Sequence, residues 1–283
     1  MQDAIKMLQR IASALEAALP KNKPLSDIKN ADAYIWNAQE KELEPVQYPE
    51  SLELELLKNI DEQKETLLAN TKQFANGFPA NNVLLWGARG MGKSSLIKAV
   101  HSHINKENPH SVVLVEIGRE DIGSLHELIK ILRGWVIRRF IIFCDDLSFD
   151  TNDNSYKSLK SALEGNIEGQ PAHILFYATS NRRHLMAREM IENEKKNAIH
   201  GSDVIEEKIS LSDRFGIWLG FHSCSQDAYL AMVEAYSDYY DIKIDHDDLK
   251  KQALEWAMTR GARSGRVAQQ FIYDLAGRSG KKI

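Results

Sequence analysis

Cysteine is scarce in this chain, with Cys144 and Cys224 as the only two among 283 residues. Two cysteines provide neither a disulfide framework nor a zinc-binding pattern, and such usage is typical of a protein kept in a reducing compartment. The histidines form no ligand-spaced cluster with cysteine, so we expect no structural metal. Long apolar runs are missing as well, since no stretch of about 18 apolar residues occurs, which argues against a membrane span.

An excess of positive charge is also missing. A formal net charge of -4 argues against non-specific binding of nucleic acid over the whole chain, although it is compatible with a local basic face. Lys6, Arg10 and Glu16 interrupt the apolar residues of the first segment, which therefore lacks the core of a signal peptide. We expect a soluble, cytoplasmic protein with no membrane association.

The apolar pattern predicts an α/β fold. Five short apolar runs alternate with helix-periodic segments, which is typical of a parallel sheet covered by helices on both faces. The predicted strands are residues 83–86, 112–117, 140–144, 174–178 and 217–221. The predicted helices between them are residues 94–104, 124–133 and 155–165, with 184–199 as a weaker candidate. The fold class is therefore a three-layer sandwich around a five-stranded parallel sheet, with ligands expected where the strands end.

Helical patterns flank this sheet on both sides. The first of them contains an aromatic patch at Tyr34 and Trp36, and it is interpreted either as an arm that packs on the main domain or as a partner-binding element. The later helices are predicted to begin at Ser225, Asp245 and Ser264. We expect a helical N-terminal segment over residues 1–50, an α/β domain over 51–222 and a small helical lid domain over 223–283.

The clearest chemical signal lies between the first predicted strand and the helix after it. The sequence there reads Gly87-Ala-Arg-Gly-Met-Gly-Lys-Ser, which has the spacing and context of a phosphate-binding loop. Its glycines allow positive φ and bring backbone N–H groups against phosphate oxygens, and the helix adds its N-terminal donors. We expect Lys93 to reach the β- and γ-phosphates and Ser94 to ligate Mg²⁺. The residues expected to hold the nucleotide are Gly87, Ala88, Arg89, Gly90, Met91, Gly92, Lys93, Ser94 and Ser95.

Two adjacent carboxylates follow another predicted strand. Asp145 ends that strand, where it is placed to hold the Mg²⁺ shell, while Asp146 is placed to orient or deprotonate an attacking water. A structural alternative for Asp146 is that it only caps the following turn. The expected cofactors are therefore ATP or ADP together with Mg²⁺.

The order of these features resembles that of the AAA+ ATPases: a phosphate loop, an acidic pair, a polar residue ending a fourth strand, an arginine before a fifth, and a helical lid with another arginine. The paired aspartates are similar to those of the replication-initiator and helicase-loader branch. More similar still is a family of bacterial AAA+ proteins known only as a domain of unknown function. The segments that carry this likeness are Pro79-Ala-Asn-Asn-Val-Leu-Leu-Trp-Gly-Ala-Arg-Gly-Met-Gly-Lys-Ser, Phe143-Cys-Asp-Asp-Leu-Ser-Phe and Thr179-Ser-Asn-Arg-Arg-His-Leu.

This resemblance, which covers roughly residues 50–280, implies roles for several polar residues. Asn181, with Thr179 as the alternative, matches the sensor 1 side chain between the acidic pair and the γ-phosphate. Arg214 resembles the arginine finger that reaches into the neighbouring subunit's site and offsets charge on the γ-phosphate. Arg266, with Arg263 as the alternative, matches the sensor 2 arginine at the start of a lid helix.

The resemblance also bears on the base pocket and on function. Ile60 matches the segment that lines the adenine pocket. The preferred hypothesis is an AAA+ ATPase that forms a homo-oligomer through its nucleotide sites and acts as a switch on a protein or nucleic-acid partner. Because Asp146 replaces the longer glutamate of many relatives, we expect slow turnover. The alternatives are a P-loop phosphotransferase acting on small molecules, and a nucleotide-dependent binding module with little hydrolysis.

A basic cluster remains open to two interpretations. It is either a solvated helix face, since glutamates are interleaved with it, or a surface that binds nucleic acid or phosphate. Its members are Arg182, Arg183, Arg188, Lys195 and Lys196.

Overall fold

A seven-stranded sheet runs through the part of the chain that the computed structural model describes, which is residues 31–149, 155–165, 169–181, 185 and 211–283. Its strands are β1 (Ala33–Asn37), β2 (Glu42–Pro45), β3 (Val83–Gly87), β4 (Val112–Glu116), β5 (Arg139–Cys144), β6 (Ile174–Ser180) and β7 (Ile217–Phe221). The helices are α1 (Asp61–Ala75), α2 (Lys93–Glu107), α3 (Leu125–Arg133), α4 (Ser155–Glu164), α5 (Gln226–Tyr239), α6 (His246–Arg260) and α7 (Gly265–Arg278). Short 3-10 helices occur at Leu54–Leu56 and Arg119–Ser124.

The centre of the sheet is parallel, in the order β4-β5-β6-β3-β7. Alternate residues of each strand point to opposite faces, and both sets are buried: Val83 and Leu85 pack in the core that includes α1 and α2, while Leu84 faces the other side. Helices α3 and α4 contact each other, and α3 also contacts β6. The predicted three-layer α/β sandwich is therefore confirmed.

The sheet has two more strands than the sequence analysis predicted, so the expectation of five strands was wrong. Residues 33–45, expected to be helical, form β1 parallel to β4 and β2 antiparallel to β1. Tyr34 and Trp36 are each 2% exposed, whereas Ile35 between them is 47% exposed. This alternation has the period of a strand and not of a helix. The Trp36 Nε1–H donates to Ser124 Oγ at 2.7 Å, which fixes β1 to the rest of the domain.

Three expectations fall outside the described residues. They concern the helix over the first 20 positions, the helix over residues 184–199 apart from Leu185, and the basic cluster of residues 182–196. Within the described ranges, no helix has both the length and the apolar character needed to cross a membrane.

The three C-terminal helices begin where capping residues predicted them. Ser225 Oγ accepts the N–H of Ala228 at 3.1 Å, and Asp245 Oδ1 accepts the N–H of Asp247 at 2.9 Å. Ser264 Oγ accepts the N–H of residue 267 at 3.3 Å. Helices α5 and α7 pack together through buried residues that belong to the same hydrophobic core as β3 and α2. Three helices thus follow β7 as the sequence predicted, and continuous apolar contact joins them to the sheet.

Candidate functional site

The carboxyl ends of β3, β5 and β6 open onto a cavity of about 470 Å³. Parallel strands bring their carboxyl ends to one edge, so residues far apart in sequence meet there. The residues from the sequence analysis that line it are Ile60, Arg89, Gly90, Met91, Gly92, Lys93, Ser94, Ser95, Asp145, Asp146, Thr179, Asn181 and Arg266. Neither Arg214 nor Arg263 is among the residues that line this cavity in their own chain.

The loop between β3 and α2 has the backbone that its glycines permit. The φ angles of Gly87, Gly90 and Gly92 are 129°, 73° and 86°, a region that other residues rarely adopt. A Cβ on Gly87 would lie 2.0 Å from the carbonyl oxygen of Phe221 on β7. A Cβ on Gly90 would lie 2.8 Å from Ser264 Oγ at the start of α7. The loop therefore fits closely between the neighbouring strand and the lid.

Lys93 curls back over this loop. Its ammonium donates to the carbonyl oxygens of Gly87 at 2.9 Å and Ala88 at 2.8 Å, and to Asn181 Oδ1 at 3.2 Å. Gly87 and Ala88 thus take part in the site through Lys93 even though they do not line the cavity. The ammonium lies between the phosphate-binding loop and the end of β6.

Burial has the largest effect on the charge state of Lys93. Burial lowers the pKa of its ammonium below the ordinary value, and the cations Arg89 and Arg266 lower it further. Asp145 and Asp146 act in the opposite direction but do not cancel the effect of burial. A bound polyanion would add further negative charge beside Lys93, Arg89 and Arg266 and would favour the charged ammonium. The electrostatics of the cavity therefore favour a phosphate-bearing ligand.

Asp145 accepts hydrogen bonds from several neighbouring groups of the site. Its Oδ1 accepts hydrogen bonds from Ser94 Oγ at 2.5 Å, from Thr179 Oγ1 at 2.5 Å and from the Asp146 N–H at 3.1 Å. Hydroxyl and carboxylate oxygens are the ligands that Mg²⁺ prefers. No group of three or more His, Cys, Asp or Glu suited to a metal occurs in the described part of the chain. A cation held by Ser94 and Asp145 would therefore complete its shell with phosphate and water oxygens, which fits Mg²⁺.

Asp146 is held in a sparsely populated conformation. Its φ is 51°, its N–H donates to Thr179 Oγ1 at 2.9 Å, and its Oδ1 accepts from Asn181 Nδ2 at 2.5 Å. The next backbone N–H, of Leu147, donates to the carbonyl oxygen of Thr179 at 2.7 Å, so the Asp146 side chain does not cap it. Both candidates for sensor 1 are thus in the network: Thr179 contacts Asp145, and Asn181 connects Asp146 to Lys93.

Part of the cavity lining is apolar, and the sequence analysis identified little of it. Ile60 lies there and is 5% exposed, directly after Asn59, whose φ of 61° bends the chain into the cavity wall. The lining residues that the sequence analysis missed are Leu52, Leu56, Leu57, Lys58, Met232, Tyr236, Gly265 and Gln269. Met232 and Tyr236 lie one turn apart on α5. Tyr236, which is 3% exposed, serves the core and the cavity together.

The lid contacts the phosphate-binding loop directly. The backbone N–H of Arg266, in the first turn of α7, donates to the carbonyl oxygen of Gly90 at 3.2 Å. The Arg266 side chain lines the cavity, whereas Arg263 is exposed before the helix begins. Of the two sensor 2 candidates, the structure brings Arg266 to the site.

Arg214 lies at the opposite end of the sheet from the phosphate-binding loop of its own chain. It precedes β7, whose residues Ile217 and Phe221 pair with the first and last residues of β3. The loop follows Gly87, so the length of β7 alone separates the two by about 13 Å, at roughly 3.3 Å per residue. The guanidinium contacts Glu164, and its Nε donates to Glu164 Oε1 at 2.7 Å.

A family model described as "Protein of unknown function (DUF815)" matches residues 29–279. The chain belongs to this family. No curated protein matches it in sequence. Among solved structures, the DUF815 chain is similar to the ORC2 protein of Aeropyrum pernix in ADPNP and ADP complexes, with 13% identity over 81% of this chain and 70% of that chain and a TM-score of 0.51.

The DUF815 chain also matches the RuvB Holliday junction branch migration motor of Thermotoga maritima, with 17% identity over 81% of this chain and 72% of that chain and a TM-score of 0.46. The likeness to ORC2 concerns the fold alone. Together with the seven-stranded sheet and the C-terminal helices, it agrees with the fold class predicted from the sequence.

Proposed function

We propose that this DUF815 protein binds ATP with Mg²⁺, hydrolyses it slowly, and works as an oligomeric nucleotide switch on a protein or nucleic-acid partner. The observation that carries the proposal is one hydrogen-bond network across three strand ends. Lys93 contacts Asn181, which contacts Asp146, and Asp145 accepts from both Ser94 and Thr179. Such a network places a cation, two carboxylates and two hydroxyls around one cavity, as phosphoryl transfer to water requires.

Each group in the network has a distinct chemical task. The backbone of the phosphate-binding loop and Lys93 would hold the β- and γ-phosphates, while Ser94 and Asp145 would hold Mg²⁺. The metal, when bound, neutralises charge on the phosphate oxygens. Asn181 fixes the Asp146 carboxylate by a hydrogen bond of 2.5 Å, which leaves Asp146 placed to orient a water or accept its proton.

The apolar part of the cavity lining supports an adenine base as the second part of the ligand. Leu56, Leu57 and Ile60 form one wall, each at most 6% exposed, and Met232 with Tyr236 contributes the lid side. A flat base against these apolar side chains, with its phosphates toward Lys93, fits a cavity lined by both apolar and cationic residues. The ORC2 relative is described with ADPNP and ADP, which also supports an adenine nucleotide.

The position of Arg214 supports assembly through the nucleotide sites. An arginine side chain is shorter than the distance of about 13 Å along β7 that separates Arg214 from its own loop. This distance argues against an action of Arg214 on the γ-phosphate bound in its own chain. Its expected target is therefore the γ-phosphate of a neighbouring subunit, which is the reason to propose an oligomer.

The decisive test is the rate of ATP hydrolysis per subunit as a function of protein concentration. We expect the rate to rise with concentration in the wild type, and both Lys93→Ala and Arg214→Ala to be inactive alone. A mixture of the two variants should regain activity. The Arg214→Ala subunit has an intact nucleotide site, and the neighbouring Lys93→Ala subunit supplies the Arg214 side chain. Arg278→Ala, which changes an exposed arginine paired with Asp274 at 2.8 Å, is the matched control.

Several outcomes would contradict parts of this proposal. Concentration-independent turnover with a fully active Arg214→Ala protein would remove the trans arginine. Turnover that depends on an added small-molecule acceptor would favour a phosphotransferase. An Asp146→Asn variant should bind ATP without hydrolysing it and should stabilise the assembly, whereas a pure binding module would show no kinetic change. Identifying what co-purifies with the Asp146→Asn protein would then define the partner.

A further inference from the structure

A carboxylate of the same subunit holds the Arg214 guanidinium. Glu164 Oε1 accepts from Arg214 Nε at 2.7 Å and also from Nη2 of the same side chain. A single oxygen that accepts from both of these nitrogens fixes one edge of the planar guanidinium and so its orientation. The two side chains are 31% and 39% exposed, which places the pair at the surface where a neighbouring subunit can reach it.

The position of Glu164 is not explained by the helix that carries it. Glu164 is the last residue of α4, and no basic residue lies in the last turn of that helix. The carboxyl end of a helix bears partial negative charge, so an acid there is electrostatically disfavoured. Arg214 supplies the compensating cation from a segment that is 50 residues away in sequence. The ion pair with Arg214 therefore offsets the unfavourable position of this acid at the helix end.

Buried residues adjoin both Glu164 and Arg214 in sequence and anchor their backbones. On α4, Leu159 is fully buried and Leu163 is 9% exposed. On either side of Arg214, Leu211 and Phe215 are 1% and 2% exposed, and the Arg214 N–H donates to the carbonyl oxygen of Leu211 at 3.2 Å. Because both backbones are fixed, the remaining freedom lies in the two long side chains, and the ion pair restricts it.

We propose that Glu164 is a positioning residue that orients Arg214 toward the γ-phosphate bound in the neighbouring subunit. The proposal rests on the trans role of Arg214 stated above. An arginine finger stabilises charge that develops in the transition state, so its geometry matters at the moment of reaction more than in nucleotide binding. Glu164 does not line the nucleotide cavity of its own chain. Its loss should therefore lower kcat and leave the KM for ATP unchanged.

Steady-state kinetics of Glu164→Ala and Glu164→Gln would test this role. We expect kcat of Glu164→Ala to fall about 10- to 100-fold, since a misplaced catalytic group costs rates of this order. Glu164→Gln keeps an acceptor oxygen and should retain an intermediate kcat. Glu127→Ala, which removes a surface carboxylate paired with Lys41 at 2.9 Å, is the control and should match the wild type.

A mixing experiment distinguishes a loss of Arg214 positioning from damage to the nucleotide site or to the assembly. Glu164→Ala protein has an intact nucleotide site, so the finger of Lys93→Ala protein should restore its turnover in mixed assemblies. Light scattering on the same samples would show that the assembly is unchanged. If Glu164→Ala does not assemble, the kinetics of Glu164→Gln, which preserves volume and an acceptor, carry the test.

The results that would overturn the inference are specific. They are an unchanged or raised kcat in both Glu164 variants while Arg214→Ala is inactive, or a failure of Lys93→Ala protein to restore the turnover of Glu164→Ala. Such results would contradict the role of Glu164 without contradicting the action of Arg214 on the neighbouring subunit. An Arg214→Ala protein as active as the wild type would instead remove the trans arginine, and the role of Glu164 with it.

Discussion

Replacing Lys93 by methionine tests whether this lysine serves the nucleotide or the fold. The ammonium donates three hydrogen bonds, to the carbonyl oxygens of Gly87 and Ala88 and to Asn181 Oδ1, which a purely structural lysine would also do. Yet burial lowers the pKa of Lys93, so the charged form is less favourable in the folded protein than in water. Methionine has a similar length and removes that cost together with the hydrogen bonds.

The two effects on stability therefore largely cancel, while the effect on binding does not. Without nucleotide, we expect the free energy of unfolding to change by less than about 1 kcal/mol, which is roughly 2–4 °C in Tm for a domain of this size. In the complex, Lys93 would lose a charge-assisted contact to phosphate worth about 1.5–3 kcal/mol. That loss corresponds to roughly 10- to 150-fold weaker binding of ATP.

Thermal unfolding without nucleotide and calorimetric titration with ATP and Mg²⁺ would measure the two quantities on the same preparations. Lys98→Met is the matched control, because Lys98 lies on the same helix and pairs with Glu116 at 3.5 Å outside the nucleotide cavity. A Lys93→Met protein that loses much stability but binds ATP as tightly as the wild type would refute the reasoning, since Lys93 would then be structural.

Three further predictions follow from individual residues. Bound phosphate should raise the lowered pKa of Lys93, so ATP affinity should fall as pH rises through the pKa of the free protein. A pH series of calorimetric titrations should show this fall in the wild type and not in Lys93→Met. Gly87→Ala, whose Cβ would lie 2.0 Å from a carbonyl oxygen, should destabilise by more than about 3 kcal/mol in denaturant unfolding, whereas Gly123→Ala, with nothing within 4 Å, should not. Burial raises the pKa of Cys144 to about 12, so mass spectrometry should find Cys224 alkylated first in the folded protein.

The sequence predicted the parallel strands well because burial on both faces leaves a strong pattern. Strand β6, predicted over residues 174–178, is buried at every position from Ile174 to Ser180. Strand β1 was missed because it lies near the edge of the sheet, where one face is only partly covered and a short run contains both buried and exposed apolar residues. The alternation of Tyr34, Ile35 and Trp36 was the available signal, and it has the period of two that a helix cannot produce.

The strength of the sequence signal also explains which parts of the site were predictable. Phosphate and magnesium chemistry needs particular residue types at fixed spacing, so Lys93, Ser94 and Asp145 could be identified from the sequence. The apolar part of the cavity lining needs only shape, and a residue such as Tyr236 has the periodicity of any core residue. Glu164 leaves no local signal at all, because its partner lies 50 residues away and the contact exists only in the folded chain.

Strand β7 connects the two ends of the proposed mechanism. At its carboxyl end, the carbonyl oxygen of Phe221 accepts the N–H of Ala88 at 2.9 Å, within the phosphate-binding loop. Just before its amino end lies Arg214, which would act on the neighbour. A strand paired along its whole length with β3 is a rigid element, so a shift of the loop on nucleotide binding would be transmitted to the finger more directly than through side chains. In an oligomer, this arrangement would make each subunit's finger sensitive to the nucleotide held in that same subunit, as a switch between neighbours requires.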